Sequence, residues 1–164
     1  MSNWTVTFPY LPQNLNELLS LPQANLFQPY ETAALTVAVL CAYPYDPASA
    51  AKMLDYLRGP RPLSNYDKQF ISDRFRETDY VPRSYFRGAS PQNNYQPYLP
   101  YTVDVFDSPY SAANQGVLTL YMRSGGADSP RQVQVRKAKD GKWYLWEQFL
   151  LSDIRPSASE NPWA

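Results

Sequence analysis

The residues with the clearest potential for binding chemistry lie in one short segment and are Ser124, Gly125, Gly126, Asp128 and Arg131. Two adjacent glycines allow successive backbone N–H groups to point into one concavity, and an arginine adds a planar fork of donors, so a small anion or carboxylate could bind there. The structural alternative is a connection between two strands, in which Asp128 binds backbone amides and pairs with Arg131. We prefer this structural interpretation and keep the five residues as a candidate site.

The second candidate is one face of the last predicted hairpin. The Lys-Asp-Gly sequence before Lys142 predicts a three-residue loop with Gly141 in the left-handed conformation, which pairs Ala138 with Lys142. A two-residue loop would instead set Lys139 against Lys142, which is unfavourable because like charges would face each other. In the preferred register one face carries Gln132, Gln134, Arg136, Tyr144, Trp146 and Gln148.

Two rings among amides and an arginine, chiefly Tyr144, Trp146 and Arg136, could hold a sugar, a peptide or another flat ligand. The alternative is that the protein covers these rings with its own chain, either with the loop at 80–98 or with the C-terminal tail. The sequence leaves both interpretations open.

The third candidate is the segment 83–87, in which Tyr85 and Arg87 alternate with other residues and an Asn-Asn-Tyr sequence follows at 93–95. Arginine interleaved with tyrosine can stack on bases and bind phosphates. The chain has 15 Lys and Arg against 15 Asp and Glu, so no net field attracts nucleic acid, and we do not expect a nucleic-acid partner. These arginines are more simply explained by ion pairs and ring packing within the loop.

Catalytic residues are not predicted. The chain has no histidine, which removes the commonest general base and metal ligand. Its single thiol, Cys41, lies in an all-apolar segment where it should be inert. Asp104 with Asp107 or Asp153 could form a carboxylate pair, but nothing in their spacing singles out a pair. We therefore predict no catalytic residue, no metal site and no cofactor.

Capping signals in the first half predict four helices. Asn14 with Glu17, Asp46 before a proline and Ser64 are N-caps, and Pro29 can open the second helix. That second helix is almost entirely apolar from residue 33 to residue 42, so it must be buried on all sides.

The second half predicts strands at 101–106, 117–123, 132–138 and 142–149, after a long ordered loop at about 77–100. We therefore predict a single α+β domain over 1–164, with about four N-terminal helices, at about 14–76, on a C-terminal antiparallel sheet of three to four strands. Residues 156–164 should form a surface tail. Val133, Val135, Trp143 and Leu145 should face the buried side of the sheet.

The composition predicts a cytoplasmic protein. A single cysteine excludes an intramolecular disulfide, and the N-terminus shows no basic segment leading into an apolar run. The longest apolar run, 33–43, is broken only by Thr36 and is about half the roughly 20 residues that a membrane-spanning helix needs, so no membrane association is expected.

Several stretches together resemble an uncharacterised bacterial domain family of unknown function, and the likeness runs from about Asn14 to Ala164. They are Ala42-Tyr43-Pro44, Leu57-Arg58-Gly59-Pro60, Ser84 to Ala89, Ser124 to Arg131, and Gly141 to Trp146 running on to Ile154-Arg155-Pro156. This resemblance implies a bacterial, cytoplasmic origin and no assigned activity.

A looser resemblance is to the cone-shaped fold of nuclear transport factor 2 and its ketosteroid-isomerase-like relatives. The shared features are helices ahead of an antiparallel sheet that ends in a Gly-x-Trp strand, here Gly141-Lys142-Trp143. The relatives imply a pocket in which an acid such as Asp104 works with Tyr121 or Tyr144 in proton transfer.

Two functions remain after these steps. The preferred one is a non-catalytic binding module for a protein or small-molecule partner. The alternative is a small-molecule-binding or enzymatic domain of the cone-fold kind. A pocket between sheet and helices with a buried acid would favour the alternative, whereas a filled core with exposed rings would favour the binding module.

Overall fold

The computed structural model describes residues 2–76, 78–112 and 116–163. Three positions that bound the predicted segments lie outside the described residues. They are Met1 and Ala164, the ends of the predicted domain and of its tail, and Glu77, the start of the predicted loop. The described strands and α-helices are β1 (Asn3–Phe8), α1 (Leu15–Leu19), α2 (Pro29–Leu40), α3 (Pro47–Arg58), α4 (Asn65–Phe75), β2 (Tyr101–Phe106), β3 (Val117–Met122), β4 (Arg131–Lys137) and β5 (Trp143–Gln148).

The sheet is antiparallel, with the order β1-β2-β3-β4-β5. The α+β class is confirmed, but the predicted sheet of three to four strands is wrong, because the described strands are five. The prediction that all helices precede the sheet is also wrong, since β1 comes before them. Trp4, Val6 and Phe8 alternate with polar residues in β1, so a period-2 signal was present in the sequence.

The helices begin at the predicted caps. The side chain of Asn14 accepts a hydrogen bond from the N–H of Glu17 at 2.9 Å. Asp46 caps α3 through the N–H of Ser49, and Ser64 forms a reciprocal capping box with α4. Each such cap contributes about 1 kcal/mol, so the caps set the helix boundaries while burial supplies most of the stability.

Helix α2 is the centre of the core. All of its residues from Thr32 to Leu40 are buried, and the helix contacts each of the five strands. The buried face of the sheet presents apolar side chains to it, among them Val133, Val135 and Leu145 as predicted, whereas Trp143 is half-buried. A helix without a polar face is stable here because sheet, α3 and short connecting turns surround it.

The predicted register of the last hairpin is confirmed up to Leu145. The N–H of Ala138 donates to the carbonyl of Lys142 at 2.9 Å, and Gly141 has φ +86°. Beyond Leu145 a β-bulge shifts the pairing by one residue, so that Gln134 faces Glu147.

The bulge corrects one part of the predicted hairpin face. Gln148 now pairs with Val133, whose side chain belongs to the buried side of the sheet, and Glu147 takes the position opposite Gln134. A bulge places two residues of one strand against one of its partner, and residues beyond it change sides relative to an unbroken ladder. Gln148 therefore does not belong to the outer face.

Strands β2 and β3 diverge after a short contact. They pair only at Val105 with Met122 and at Phe106 with Tyr121. The loop before β2 occupies part of the opening, because Phe86 forms an isolated bridge with Val103. This divergence leaves a cleft on the outer face of the sheet.

In the ranges that the structure describes, no helix combines the length and the apolar character needed to cross a bilayer.

Candidate functional site

A cleft of about 620 Å³ opens on the outer face of the sheet, where β2 and β3 diverge. Its walls come from β1, β2, the loop at 84–89 and the end of β3. The side chains and backbone that matter for binding are those of Tyr85, Arg87, Asp104, Arg123, Ser124 and Gly125. Two of the three candidate segments of the sequence thus meet in one place.

Direct hydrogen bonds join the two segments at the base of the cleft. The N–H of Gly125 donates to the carbonyl of Ser84 at 2.8 Å, and the Ser124 and Ser84 hydroxyls bond at 2.7 Å. A Cβ at position 125 would come within 3.0 Å of the carbonyl oxygen of Ala89. Glycine is therefore required there by close backbone approach. Tyr85 lies beneath, buried, and its hydroxyl donates to the carbonyl of Leu150.

A bidentate ion pair forms one wall. Arg87 Nε and Nη2 lie 2.7 and 2.6 Å from the two carboxylate oxygens of Asp104, and Thr5 also contacts both side chains. These hydrogen bonds hold the pKa of Asp104 below its ordinary value. Both partners are about half exposed, so the pair orients Arg87 more than it stabilises the fold.

Arg123 forms the opposite wall. Its guanidinium lies 5.1 Å from the centre of the Phe106 ring, which stacks at 5.6 Å on Tyr121. Among the described residues no carboxylate forms an ion pair with Arg123. The lining holds two arginines and one aspartate, so the cleft carries an excess positive charge beside an aromatic surface.

The rest of the glycine-containing segment lies outside this cleft. Asp128 pairs with Arg155 at 3.2 Å, so the predicted Asp128–Arg131 pair is wrong. Arg131 instead donates to the carbonyls of Ser129 at 2.9 Å and Ser152 at 3.2 Å, which fastens the chain after β5 to the start of β4. Backbone carbonyls of two segments, at Ser129 and at Ser152, give the guanidinium of Arg131 several acceptors at once.

Gly126 also has a structural role. Its carbonyl accepts a hydrogen bond from the N–H of Arg155 at 2.9 Å. A Cβ at this position would come within 3.0 Å of the hydroxyl of Tyr95 and of Ile154. The glycine therefore permits the C-terminal segment to pack against the loop that carries Tyr95.

The rings of the hairpin face are covered by the connection between α3 and α4. The guanidinium groups of Arg61 and Arg136 lie 3.6 and 4.7 Å from the centre of the Trp146 ring. Arg61 also donates to the Trp146 carbonyl and pairs with Glu147 at 3.0 Å. Part of the cover thus comes from Arg61, and not from the loop at 80–98 or the tail, the two segments that the alternative interpretation named.

Tyr144 also contacts other residues of the protein through both its hydroxyl and its ring. Its hydroxyl donates to the Asp140 carboxylate at 2.6 Å, and this hydrogen bond raises the pKa of Tyr144 to about 12. Its ring packs directly on Gly59, where a Cβ would come within 3.0 Å of three ring atoms. The protein's own groups therefore cover part of the aromatic hairpin face, and a cavity of about 160 Å³ remains there, lined by Arg136, Tyr144 and Trp146.

The geometry does not assemble the proton-transfer pocket of the cone-fold alternative. Asp104 lies on the outer face, in an ion pair with Arg87, while the layer between α2 and the sheet contains fully buried apolar side chains such as Leu35 and Leu120. Cys41 is buried, and desolvation raises the pKa of its thiol to about 12. In the part of the chain that the structure describes, no three His, Cys, Asp or Glu side chains cluster as a metal site would require.

Two residues of the candidate sites were not identified from the sequence. Arg123 directly precedes Ser124 and ends a strand, which was a usable signal for a residue at the rim of a cleft. Arg61 gave no signal, because its contact with Trp146 joins positions 85 residues apart.

Comparison with known proteins places this site in a family. Residues 10–158 match the family described as a domain of unknown function (DUF6935). The chain belongs to this family. The matched range includes every cleft residue from the loop, β2 and the end of β3, whereas β1 lies before it. No curated protein and no solved structure matches the chain. The resemblance to an uncharacterised domain family is confirmed, and the comparisons assign no function.

Proposed function

We propose that the chain is a non-catalytic binding module that takes an acidic peptide segment of a protein partner into the cleft between β2 and β3. The observation that carries the proposal is the position of Arg123. Its guanidinium faces a cleft of about 620 Å³ and, within the described ranges, has no carboxylate partner.

A carboxylate is the group that best complements this wall. An arginine presents a planar fork of donors that matches two carboxylate oxygens, and charged hydrogen bonds are stronger than neutral ones. Arg87 cannot be the main anchor, because Asp104 already satisfies its fork. It serves as a fixed positive group on the facing wall.

The remaining lining supports a peptide chain. The Phe106 ring lines the cleft next to Arg123 and stacks on Tyr121, and Asn3 adds an amide. The cleft has a mixed polar and aromatic lining and is open to solvent along the sheet. Such a site can bind a peptide segment in an extended conformation.

An enzymatic pocket is the weaker candidate. Proton transfer by Asp104 would require a raised pKa, whereas Arg87 lowers it, and Tyr144 is bonded to Asp140. The proposed binding module belongs to the bacterial cytoplasm. That assignment is supported by the family resemblance and by a single thiol, Cys41, that is buried.

The proposal can be tested with short acetylated peptides rich in aspartate and glutamate. Their asparagine and glutamine versions serve as neutral controls. Binding is followed through the backbone amide shifts of Arg87 and Gly125 in NMR titrations. We expect the acidic peptides to bind at least about tenfold more tightly than the neutral ones, as loss of a charged hydrogen bond predicts.

The matched variants are Arg123→Ala and Arg74→Ala. Arg74 is also an arginine over a phenylalanine ring, with its guanidinium 4.9 Å from the Phe70 ring centre, but it lies on α4, outside the cleft. Arg123→Ala should weaken acidic peptide binding about tenfold, and Arg74→Ala should leave it unchanged. Equal binding by the two variants, or no amide shifts at millimolar peptide, would refute the proposal.

A further inference from the structure

Strand β1 lies at one edge of the sheet, and alternate residues direct their backbone groups away from it. The carbonyl of Ser2 accepts a hydrogen bond from the N–H of Asp107, so the backbone of Ser2 faces β2. In an antiparallel ladder the N–H and C=O of one residue point to the same side, and this side alternates along the strand. Asn3, Thr5 and Thr7 therefore point their N–H and C=O groups outward.

A side-chain contact agrees with this assignment. Gln23 Nε2 donates to the carbonyl of Thr7 at 3.1 Å, from outside the sheet. The other outward groups have no hydrogen-bond partner among the described residues. They are the N–H and C=O of Asn3, the N–H and C=O of Thr5, and the N–H of Thr7. An edge with open donors and acceptors of this kind is a template for another strand.

At the opposite edge of the sheet, other parts of the protein form hydrogen bonds with the outward backbone groups. On β5, the N–H of Trp143 donates to the carbonyl of Leu26 at 2.7 Å, and Thr32 Oγ1 donates to the Trp143 carbonyl at 2.8 Å. Arg61 donates to the Trp146 carbonyl further along. The protein thus covers the edge at β5 with its own groups and leaves the edge at β1 open.

We propose that two copies of the chain pair through this open edge, with β1 of each copy antiparallel and a two-fold axis at Thr5. Thr5 then faces Thr5 of the second copy, and Asn3 faces Thr7 of the second copy. The two Thr5 residues exchange both of their hydrogen bonds, and the N–H of Thr7 meets the carbonyl of Asn3 of the second copy. The carbonyl of Thr7 keeps its hydrogen bond from Gln23. The two sheets join into one continuous sheet.

The side chains of β1 favour a second copy over other strands. The strand Asn3–Phe8 contains no charged residue and no proline, so neither of these common devices against edge pairing is present. Self-pairing therefore brings no like charges together. On the helix side, Val6 is already buried by the protein's own chain, so the pairing depends on the backbone hydrogen bonds of the strand. The contact uses backbone atoms, so the Thr5 side chain keeps its place beside Arg87.

Sedimentation velocity of the full chain between about 10 and 500 µM tests the proposal, since small interfaces give weak association. We expect a dimer whose fraction rises with concentration. Thr5→Pro removes the outward N–H, which edge strands tolerate, and should raise the dissociation constant at least about tenfold because both central hydrogen bonds are lost. Thr5→Val, which loses the same hydroxyl contacts with Asp104 and Arg87 but keeps the N–H, is the matched control and should dimerise as the wild type does. Circular dichroism and urea unfolding establish that this variant is folded.

Cysteine substitutions test the register. In hydrogen-bonded pairs the Cα atoms lie about 5.5 Å apart, which permits a disulfide, so Thr5→Cys should form covalent dimers under mild oxidation. Thr7→Cys lies on the same edge but faces Asn3 of the second copy, so it should cross-link much more slowly. A monomer at 500 µM overturns the proposal. So does a dimer that survives Thr5→Pro, or equal cross-linking of the two cysteine variants.

Discussion

Replacing Gly59 by alanine tests whether the Tyr144 ring is packed inside the structure. Gly59 follows α3 and has φ +60° and ψ −115°, the conformation of the first central residue of a type II′ turn. A Cβ there would come within 3.0 Å of three atoms of the Tyr144 ring. The ring cannot swing aside without breaking the 2.6 Å hydrogen bond from its hydroxyl to Asp140.

The magnitude follows from a comparison with Gly141. Gly141 has φ +86°, and a Cβ added to it meets no atom within 4 Å. Gly141→Ala therefore costs only the conformational strain of a left-handed residue, about 1–2 kcal/mol. Gly59→Ala carries at least this strain, because φ +60° with ψ −115° lies outside the left-handed helical region, and adds overpacking against the ring, which costs about 1–3 kcal/mol more. For a chain of this size, each kcal/mol lowers the Tm by about 2–4 °C.

The assay is urea unfolding of four proteins, namely wild type, Gly59→Ala, Tyr144→Ala and the double variant, with Gly141→Ala as the control for strain. Truncating Tyr144 removes the atoms that clash. The double variant should therefore be about 1–3 kcal/mol more stable than the sum of the single effects predicts, within the range seen for residues in contact.

Two results would refute this reasoning. If Gly59→Ala and Gly141→Ala lower the free energy of unfolding equally, the ring is not packed on Gly59. If the effects of Gly59→Ala and Tyr144→Ala simply add, the two residues do not interact. Either result would return Tyr144 to the set of residues available to a ligand.

Two further predictions concern ionisable groups. The pKa of Asp104 is lowered by hydrogen bonds from Arg87, so its contribution to the free energy of unfolding is present above about pH 4 and is lost as pH falls through the folded-state pKa. Urea unfolding at pH 7 and pH 3 should show the difference between wild type and Asp104→Asn shrinking at low pH, and a constant difference would contradict this. Burial raises the pKa of Cys41 to about 12, so at pH 8 its thiolate fraction is on the order of a thousandfold below that of a free cysteine. A thiol reagent should react only as urea unfolds the protein, and rapid reaction with the native state would contradict the burial.

Part of the candidate site could be predicted from the sequence. Ser124, Gly125, Tyr85 and Arg87 were identified as binding candidates, and the structure places all four at one cleft. Their meeting could not be predicted, because it requires Phe86 to enter the opening between β2 and β3. Nothing in the local pattern indicates that two strands pair at one end and separate at the other.

The hairpin shows where sequence reasoning stops. Turn chemistry around Gly141 predicted the pairing of Ala138 with Lys142 correctly. The bulge near Trp146 was not predicted, although Arg61 contacts the carbonyl and the ring of that residue. Loop residues determine a register locally, whereas a bulge depends on what lies against the strand.

The sequence by itself determined where the helices begin, which helix is buried and how the last hairpin turns. These features depend on hydrogen bonds and periodicity within a few residues, such as the cap of Asn14 on Glu17. The tertiary structure decided that β1 joins a strand about a hundred residues away, that Arg61 covers Trp146, and that Arg123 remains open to a cleft. Those outcomes depend on which surfaces the packing of α2 against the sheet brings together, and contacts at such separation leave no local signature in the chain.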